Sequence, residues 1–128
     1  MMSAHLLIVE DDSEMRDLLR KVLEKDGYQV SVAADGHEAI ASLTCGHFDL
    51  VVTDMLMPYD GGLELLEFIR ATQPMLPVII ITAFGDWQSY SRALELGAVA
   101  FISKPLRMAE LASAIHEALE GRGAGRAA

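Results

Sequence analysis

The chain has a single cysteine, Cys45, so no disulfide can close within it, which fits a reducing compartment. Cys45 reads as a small hydrophobe near a helix end rather than as a nucleophile. Positive charge is also scarce: ten Lys and Arg stand against nineteen Asp and Glu, for a net charge of −9. No stretch clusters Lys and Arg as a reader of phosphate backbones needs, and direct nucleic-acid binding is not expected. Long hydrophobic runs are missing as well. Spanning a bilayer takes roughly 18 to 20 apolar residues, and the longest candidates, around Val78 to Ala83 and Ala98 to Ile102, are broken by Gly, Pro or Lys. The opening Met1-Met2-Ser3-Ala4-His5 has neither a basic leader nor a small-residue cleavage site before the acidic Glu10-Asp11-Asp12. A cytoplasmic protein that does not engage a membrane is the expectation. His5, His37 and His47 lack metal-ligand spacing. His116 reads as a polar-face helix residue, because phosphocarrier histidines of that kind sit in helical bundles.

Apolar content is plentiful, 52% of 128 residues, which is ample for the core of one domain. Short apolar runs alternate five times with amphipathic stretches, as βα units around a parallel sheet do. The runs are His5 to Val9, Gln29 to Ala33, Leu50 to Thr53, Val78 to Thr82 and Ala100 to Ser103. Those at Leu50 and Val78 are apolar at nearly every position, as strands covered on both faces are. The helices between them are expected at about Ser13 to Asp26, Gly36 to Cys45, Leu63 to Thr72, Asp86 to Leu96 and Met108 to Glu120. Gly27, Gly46, Gly97 and Gly121 follow helical runs where a left-handed cap is wanted, and Asp35 with Glu38 resembles a capping box. Residues 1–121 should therefore form one domain, and 122–128 a flexible tail or the start of a linker. A closed barrel needs roughly 200 residues or more, so an α/β doubly wound open sheet with helices on both faces is the expected fold. Ligands in such sheets bind at the carboxyl ends of the strands.

Those ends carry the polar residues. Strand one runs into Glu10-Asp11-Asp12, strand three into Thr53-Asp54, strand four into Thr82-Ala83 and strand five into Ser103-Lys104-Pro105. Carboxylates gathered on one edge repel one another, and a cation between them relieves that repulsion. Oxygen donors with room left for water and phosphate suit Mg²⁺. Lys104 adds a compact charge that can reach a carboxylate or a phosphoryl oxygen, and Thr82 adds a hydroxyl donor. Phosphoryl transfer asks for an in-line nucleophile and cations around the equatorial oxygens, and Asp54, central in the group, is the natural acceptor.

The order Glu10-Asp11, Asp54 with Met57-Pro58 following, Thr82-Ala83, and Lys104-Pro105 after Phe101 resembles the receiver domains of two-component response regulators, including the chemotaxis type, over residues 5 to 120. The resemblance implies a flavodoxin-like five-stranded sheet in the order 2-1-3-4-5. It implies that Asp54 accepts a phosphoryl group, and that Asp11, Asp54 and the backbone carbonyl of Leu56 bind Mg²⁺ directly while Glu10 helps through water. Lys104 would contact Asp54 and then the phosphoryl group, across a cis Lys104-Pro105 bond. Thr82 and Phe101 would be the switch pair, Thr82 moving to the phosphoryl oxygen and Phe101 turning inward behind it. A sensor histidine kinase or phosphotransfer protein would be the donor. The surface of helix four, strand five and helix five would serve a downstream effector or a homodimer. Such a domain is a phosphoacceptor switch that catalyses its own phosphorylation and dephosphorylation, not a turnover enzyme. Leu56 and Phe84, both large and apolar, occupy the positions that tune phosphate lifetime in this family.

Three features depart from the common pattern. Gly61 stands where Asp usually precedes the helix-opening glycine, Glu10 stands where Asp is commoner, and Val99 replaces a frequent Asp. Two other readings compete. One is a pseudo-receiver, the same fold serving as a non-phosphorylated interaction module, which the intact set of chemical residues argues against. The other is a flavodoxin-like cofactor binder or phosphatase. The turn after strand one is acidic and free of glycine, so it repels the phosphate that such proteins cradle there.

Overall fold

The computed structural model describes residues 3–55, 61–83 and 87–127, with the side chains of Trp87 and of residues 122–127 left aside. The elements alternate as β1 (His5–Val9), α1 (Ser13–Lys25), β2 (Gln29–Ala33), α2 (Gly36–Cys45), β3 (Leu50–Asp54), α3 (Gly62–Thr72), β4 (Val78–Thr82), α4 (Trp87–Glu95), β5 (Ala100–Ser103) and α5 (Met108–Ala127). All neighbouring strands are parallel, and the sheet order is β2-β1-β3-β4-β5, as the resemblance implied. No described helix is long and apolar enough to cross a membrane.

The period-two geometry of a strand divides the core into two layers. Leu7, Val9, Val51 and Ile80 point to the side packed with Leu43, Leu65, Leu66, Ile69 and Ala93 of α2, α3 and α4. Leu6, Ile8, Leu50, Val52, Ile79, Ile81 and Ile102 point to the side packed with Leu19, Leu23, Leu111 and Ile115 of α1 and α5. β3 and β4 are buried at every position, which is why they read as continuous apolar runs, whereas the edge strand β2 is buried only at Ala33. Each large side chain buried this way contributes about 1.5–3 kcal/mol, so the two central strands fix the register of the sheet.

Helix ends follow their side chains. Asp12 caps α1 by accepting from the Glu14 N–H at 3.0 Å. Asp35 caps α2 by accepting from the Glu38 N–H at 2.8 Å, and the Glu38 carboxylate accepts in return from the Ala34 N–H at 2.9 Å. Gly27 and Gly97 take positive φ of 99° and 82° after α1 and α4, the left-handed cap their positions suggested. Gly46 differs: it is extended, with φ −139° and ψ 173°. The chain leaves α2 straight toward Phe48, which is 4% exposed in the core, so no reversal is made there. Gly121 also differs, because α5 passes through it to Ala127. A glycine inside a helix costs about 1 kcal/mol relative to alanine, and no proline follows to enforce a stop. The boundary expected at residue 121 is therefore not marked by the end of the helix.

At the amino end of the sheet, Arg70 of α3 joins three segments. Its guanidinium donates to the carbonyls of Leu96 at 2.7 Å, Pro74 at 2.6 Å and Leu76 at 2.5 Å, and more weakly to Gln73 at 3.4 Å. Burial lowers its pKa. These acceptors are all neutral backbone oxygens, from the residue just past α4 and from the turn before β4.

Candidate functional site

The parallel register sets the reactive groups side by side at the opposite end. Val9 pairs with Ala33 and Thr53, Asp54 with Ile81, and Thr82 with Ser103, so the residues that follow or end these strands share one rim. Glu10, Asp54 and Thr82 are 2%, 5% and 9% exposed, while Asp11 lies in the open turn above them. Backbone bonds hold the arrangement: the Glu10 N–H donates to Ala33 at 3.0 Å, that of Met55 to Ile81 at 2.8 Å, and that of Lys104 to Thr82 at 2.8 Å. The Lys104-Pro105 bond is cis.

Glu10, Asp11 and Asp54 each bring a carboxylate oxygen within 4.8 Å of the others. The Lys104 ammonium sits against this group, 2.7 Å from Asp54 Oδ2 and 3.7 Å from Glu10 Oε1. The electrostatics show strain. Burial pushes the Glu10 carboxyl up from 4.5 to about 7; the Asp12 N–H and Lys104 pull it down, while the Asp54 charge and the Asp11 carboxyl add to the rise. Burial alone would discourage charge on Lys104, yet its hydrogen bond to Asp54 and the charges of Asp54, Glu10 and Asp11 outweigh that and raise its pKa. One ammonium faces three acids, so negative charge is left in excess. The donor set fits a hard divalent cation: it is all oxygen, it is partly buried, and Asp11 keeps one side open to solvent.

The sequence-predicted residues Glu10, Asp11, Asp54, Thr82 and Lys104 thus gather at one rim. Leu56, expected to lend its carbonyl, lies outside the described residues, as do Met57, Pro58 and Phe84. Phe101 stands two strand positions before the rim residue Ser103 on β5. It is partly buried against the larger core layer, with its ring centroid 4.5 Å from that of Tyr90 and the planes tilted by 52°.

Two residues that position the site escaped the sequence reading. A Cβ on Gly62 would fall 2.7 Å from the Asp54 carbonyl oxygen and 2.9 Å from the Met55 Cα, and the Gly62 N–H donates to the Met55 carbonyl at 3.0 Å. Glycine here lets the first turn of α3 rest directly on the backbone that carries Asp54. The signal was the Gly61-Gly62 pair, of which only Gly61 was noted, as a departure from the family pattern. Gly61 takes the N-cap position and supplies no side-chain bond. The second residue is Arg16, whose Nη1 donates to the Glu10 carbonyl at 2.9 Å; an arginine at the end of the first turn of α1 gives no such sign in sequence.

Comparison with known proteins agrees with this geometry. Residues 6–116 match the family model of the response regulator receiver domain. Sporulation initiation phosphotransferase F of Bacillus subtilis (strain 168) is 36% identical over 119 residues, covering 93% of this chain and 96% of that protein. Other relatives are longer: the chain spans 54% of a B. subtilis transcriptional regulatory protein, YkoG, and 26% of GlrR from Escherichia coli (strain K12). A CheY-like response regulator receiver domain protein from Methanospirillum hungatei JF-1 superposes with TM-score 0.94 at 31% identity, covering 97% of this chain and 99% of that one. The response regulator TrrA from Thermotoga maritima, solved in complex with Mg²⁺-BeF, superposes with TM-score 0.83 at 30% identity, covering 92% of this chain and 100% of that one.

Proposed function

Because this chain belongs to the response regulator receiver domains of two-component signalling, we propose that it is a Mg²⁺-dependent phosphoacceptor switch in which Asp54 takes the phosphoryl group. The observation that carries this reading is the meeting of three carboxylates within 4.8 Å with the Lys104 ammonium 2.7 Å from Asp54. A carboxylate oxygen of Asp54 attacks phosphorus, the bond to the donor breaks, and an acyl phosphate results. Lys104 steadies Asp54 before the transfer and can follow the charge onto the phosphoryl oxygens afterwards. Glu10, Asp11 and Asp54, with the Leu56 carbonyl, would hold Mg²⁺, which supplies positive charge against the incoming phosphoryl group. The hydroxyl of Thr82, one strand over, would bond a phosphoryl oxygen. Phe101 would then turn toward the space behind it and change the face formed by α4, β5 and α5.

A sensor histidine kinase or a phosphotransfer protein is the proposed donor, and an effector domain, a separate target or a second copy of the chain reads the changed face. That TrrA was solved with Mg²⁺ and a beryllium fluoride supports carrying metal and phosphoryl chemistry onto these residues. Residues 1–121 are the proposed receiver body, and 122–128 a tail or linker start. A cytoplasmic site of action fits a kinase that uses nucleotide. Incubation with labelled acetyl phosphate tests the core of the proposal: label should enter the wild-type chain only with Mg²⁺ and be absent from Asp54→Asn. Label retained by Asp54→Asn would refute Asp54 as acceptor, and no label on either would favour a non-phosphorylated interaction module.

A further inference from the structure

Asp11 is the exposed member of the acid group, so packing does not aim its side chain; the backbone of the β1–α1 turn must. That turn is tied at several points. The Asp12 N–H donates to Glu10 Oε2 at 3.1 Å, and the Arg16 N–H donates to the Asp12 carbonyl at 2.9 Å. A further tie is the Arg16 side chain, which reaches back from α1. Its Nη1 donates to the Glu10 carbonyl at 2.9 Å and lies 3.5 Å from the Asp11 carbonyl. These two carbonyls belong to the peptide planes on either side of Asp11. One planar group thus restrains both backbone torsions from which the Asp11 carboxylate departs. Arg16 makes no ion pair with an acid among the described residues; its guanidinium bonds backbone carbonyls instead.

We propose that Arg16 is a positioning residue for the metal site: its guanidinium fixes the turn so that Asp11 meets Glu10 and Asp54 around a divalent cation. The inference rests on the reading of that acid group as a Mg²⁺ site. It makes a claim of opposite sign to simple electrostatics. Arg16 is a cation near a cation site, so if only its charge mattered, removing it would tighten Mg²⁺ binding. If it positions Asp11, removing it loosens Mg²⁺ binding even though a repulsive charge has gone. Groups that orient metal ligands from behind typically matter at the level of 10- to 100-fold in affinity.

Isothermal titration of the full chain with MgCl₂ decides the matter, using Arg16→Met, Arg16→Lys and, as a control, Arg20→Met. Arg20 lies one turn further along α1 and pairs with Asp17 and Glu24, away from the turn carbonyls. The dissociation constant should rise about 10-fold in Arg16→Met, rise less in Arg16→Lys, and stay level or fall in Arg20→Met. Urea midpoints check that each variant is folded; if Arg16→Met is not, Arg16→Lys carries the test, because it keeps the charge and loses the planar donor. Wild-type affinity in both Arg16 variants, or tighter binding in Arg16→Met, would overturn the proposal while leaving the metal site intact. Absence of Mg²⁺ binding by the wild-type chain would overturn the metal reading itself, and this inference with it.

Discussion

Replacing Glu10 with glutamine should make the metal-free protein more stable at pH 8 and change it much less at pH 5. Glu10 ionises near 4.5 when unfolded and near 7 in the folded chain, where burial is the main cause and the Asp54 charge adds to it. Between these values the folded chain keeps a proton that the unfolded chain has released. The contribution of Glu10 to wild-type stability is therefore greatest below about pH 4.5, falls as pH rises through the window, and levels off above about pH 7. At about 1.4 kcal/mol for each unit, the whole window amounts to roughly 3 kcal/mol as an upper bound. Part of this is returned, because ionised Glu10 also faces Lys104 at 3.7 Å. Glutamine stays neutral and keeps an oxygen for the Asp12 N–H, so Glu10→Gln should lack the decline. With a urea dependence of about 1–3 kcal/mol/M, a gain of roughly 2 kcal/mol moves the midpoint by on the order of 1 M. Urea titrations of both proteins at pH 5, 6, 7 and 8 in EDTA measure the difference, in which the four histidines common to both cancel. Adding 10 mM MgCl₂ at pH 8 should then raise the wild type more than the variant, because the ion restores compensation to the ionised carboxylate. Parallel pH profiles for the two proteins would refute the reasoning.

Three further outcomes can be measured. Gly62→Ala should destabilise the fold by about 1–3 kcal/mol, through contact with the Asp54 carbonyl, where helix propensity alone would stabilise it; a urea midpoint gives the sign, and a higher midpoint would contradict the close approach. Arg70→Met strips donors from backbone carbonyls at the ends of α3 and α4 and should cost about 2–4 kcal/mol, with faster amide exchange concentrated at residues 73–76 and 94–98; uniform exchange would count against a local clamp. If Asp54 is the acceptor as proposed, Leu56→Asn should hasten loss of phosphate, because the family resemblance assigns Leu56 a place that tunes phosphate lifetime; an unchanged or slower rate, read by loss of label, would sink the idea.

Much of the fold was legible because its causes are local and periodic. The continuous apolar runs at Leu50 and Val78 follow from burial on both faces, and Asp12 and Asp35 stand where capping chemistry wants them. The site was legible for a different reason: a parallel sheet delivers every strand end to one rim, so acids and a lysine far apart in sequence meet without further assumption. Contacts that depend on backbone carbonyls were not legible. Arg16, Arg70 and Gly62 act on main-chain oxygens, which every residue possesses, and no pattern of side chains announces them. The misplaced caps have the same origin: Gly46 and Gly121 carry the right residue type, but the path of the chain beyond them decides whether it reverses.

The two ends of the sheet are fastened by bonds of different character, and dissolved salt will feel only one of them strongly. At the amino end, the guanidinium of Arg70 is partly buried and grips uncharged oxygens, an ion–dipole contact with little far field for a mobile ion to screen. At the carboxyl end, an ammonium and three acids, of which Glu10 keeps its proton up to about pH 7, make a compact ionisable set with one side open to water. Raising ionic strength should accordingly soften repulsion and attraction around Asp54 while the base of α3 and α4 holds firm, so the reactive rim can be retuned by its medium without loosening the frame beneath it.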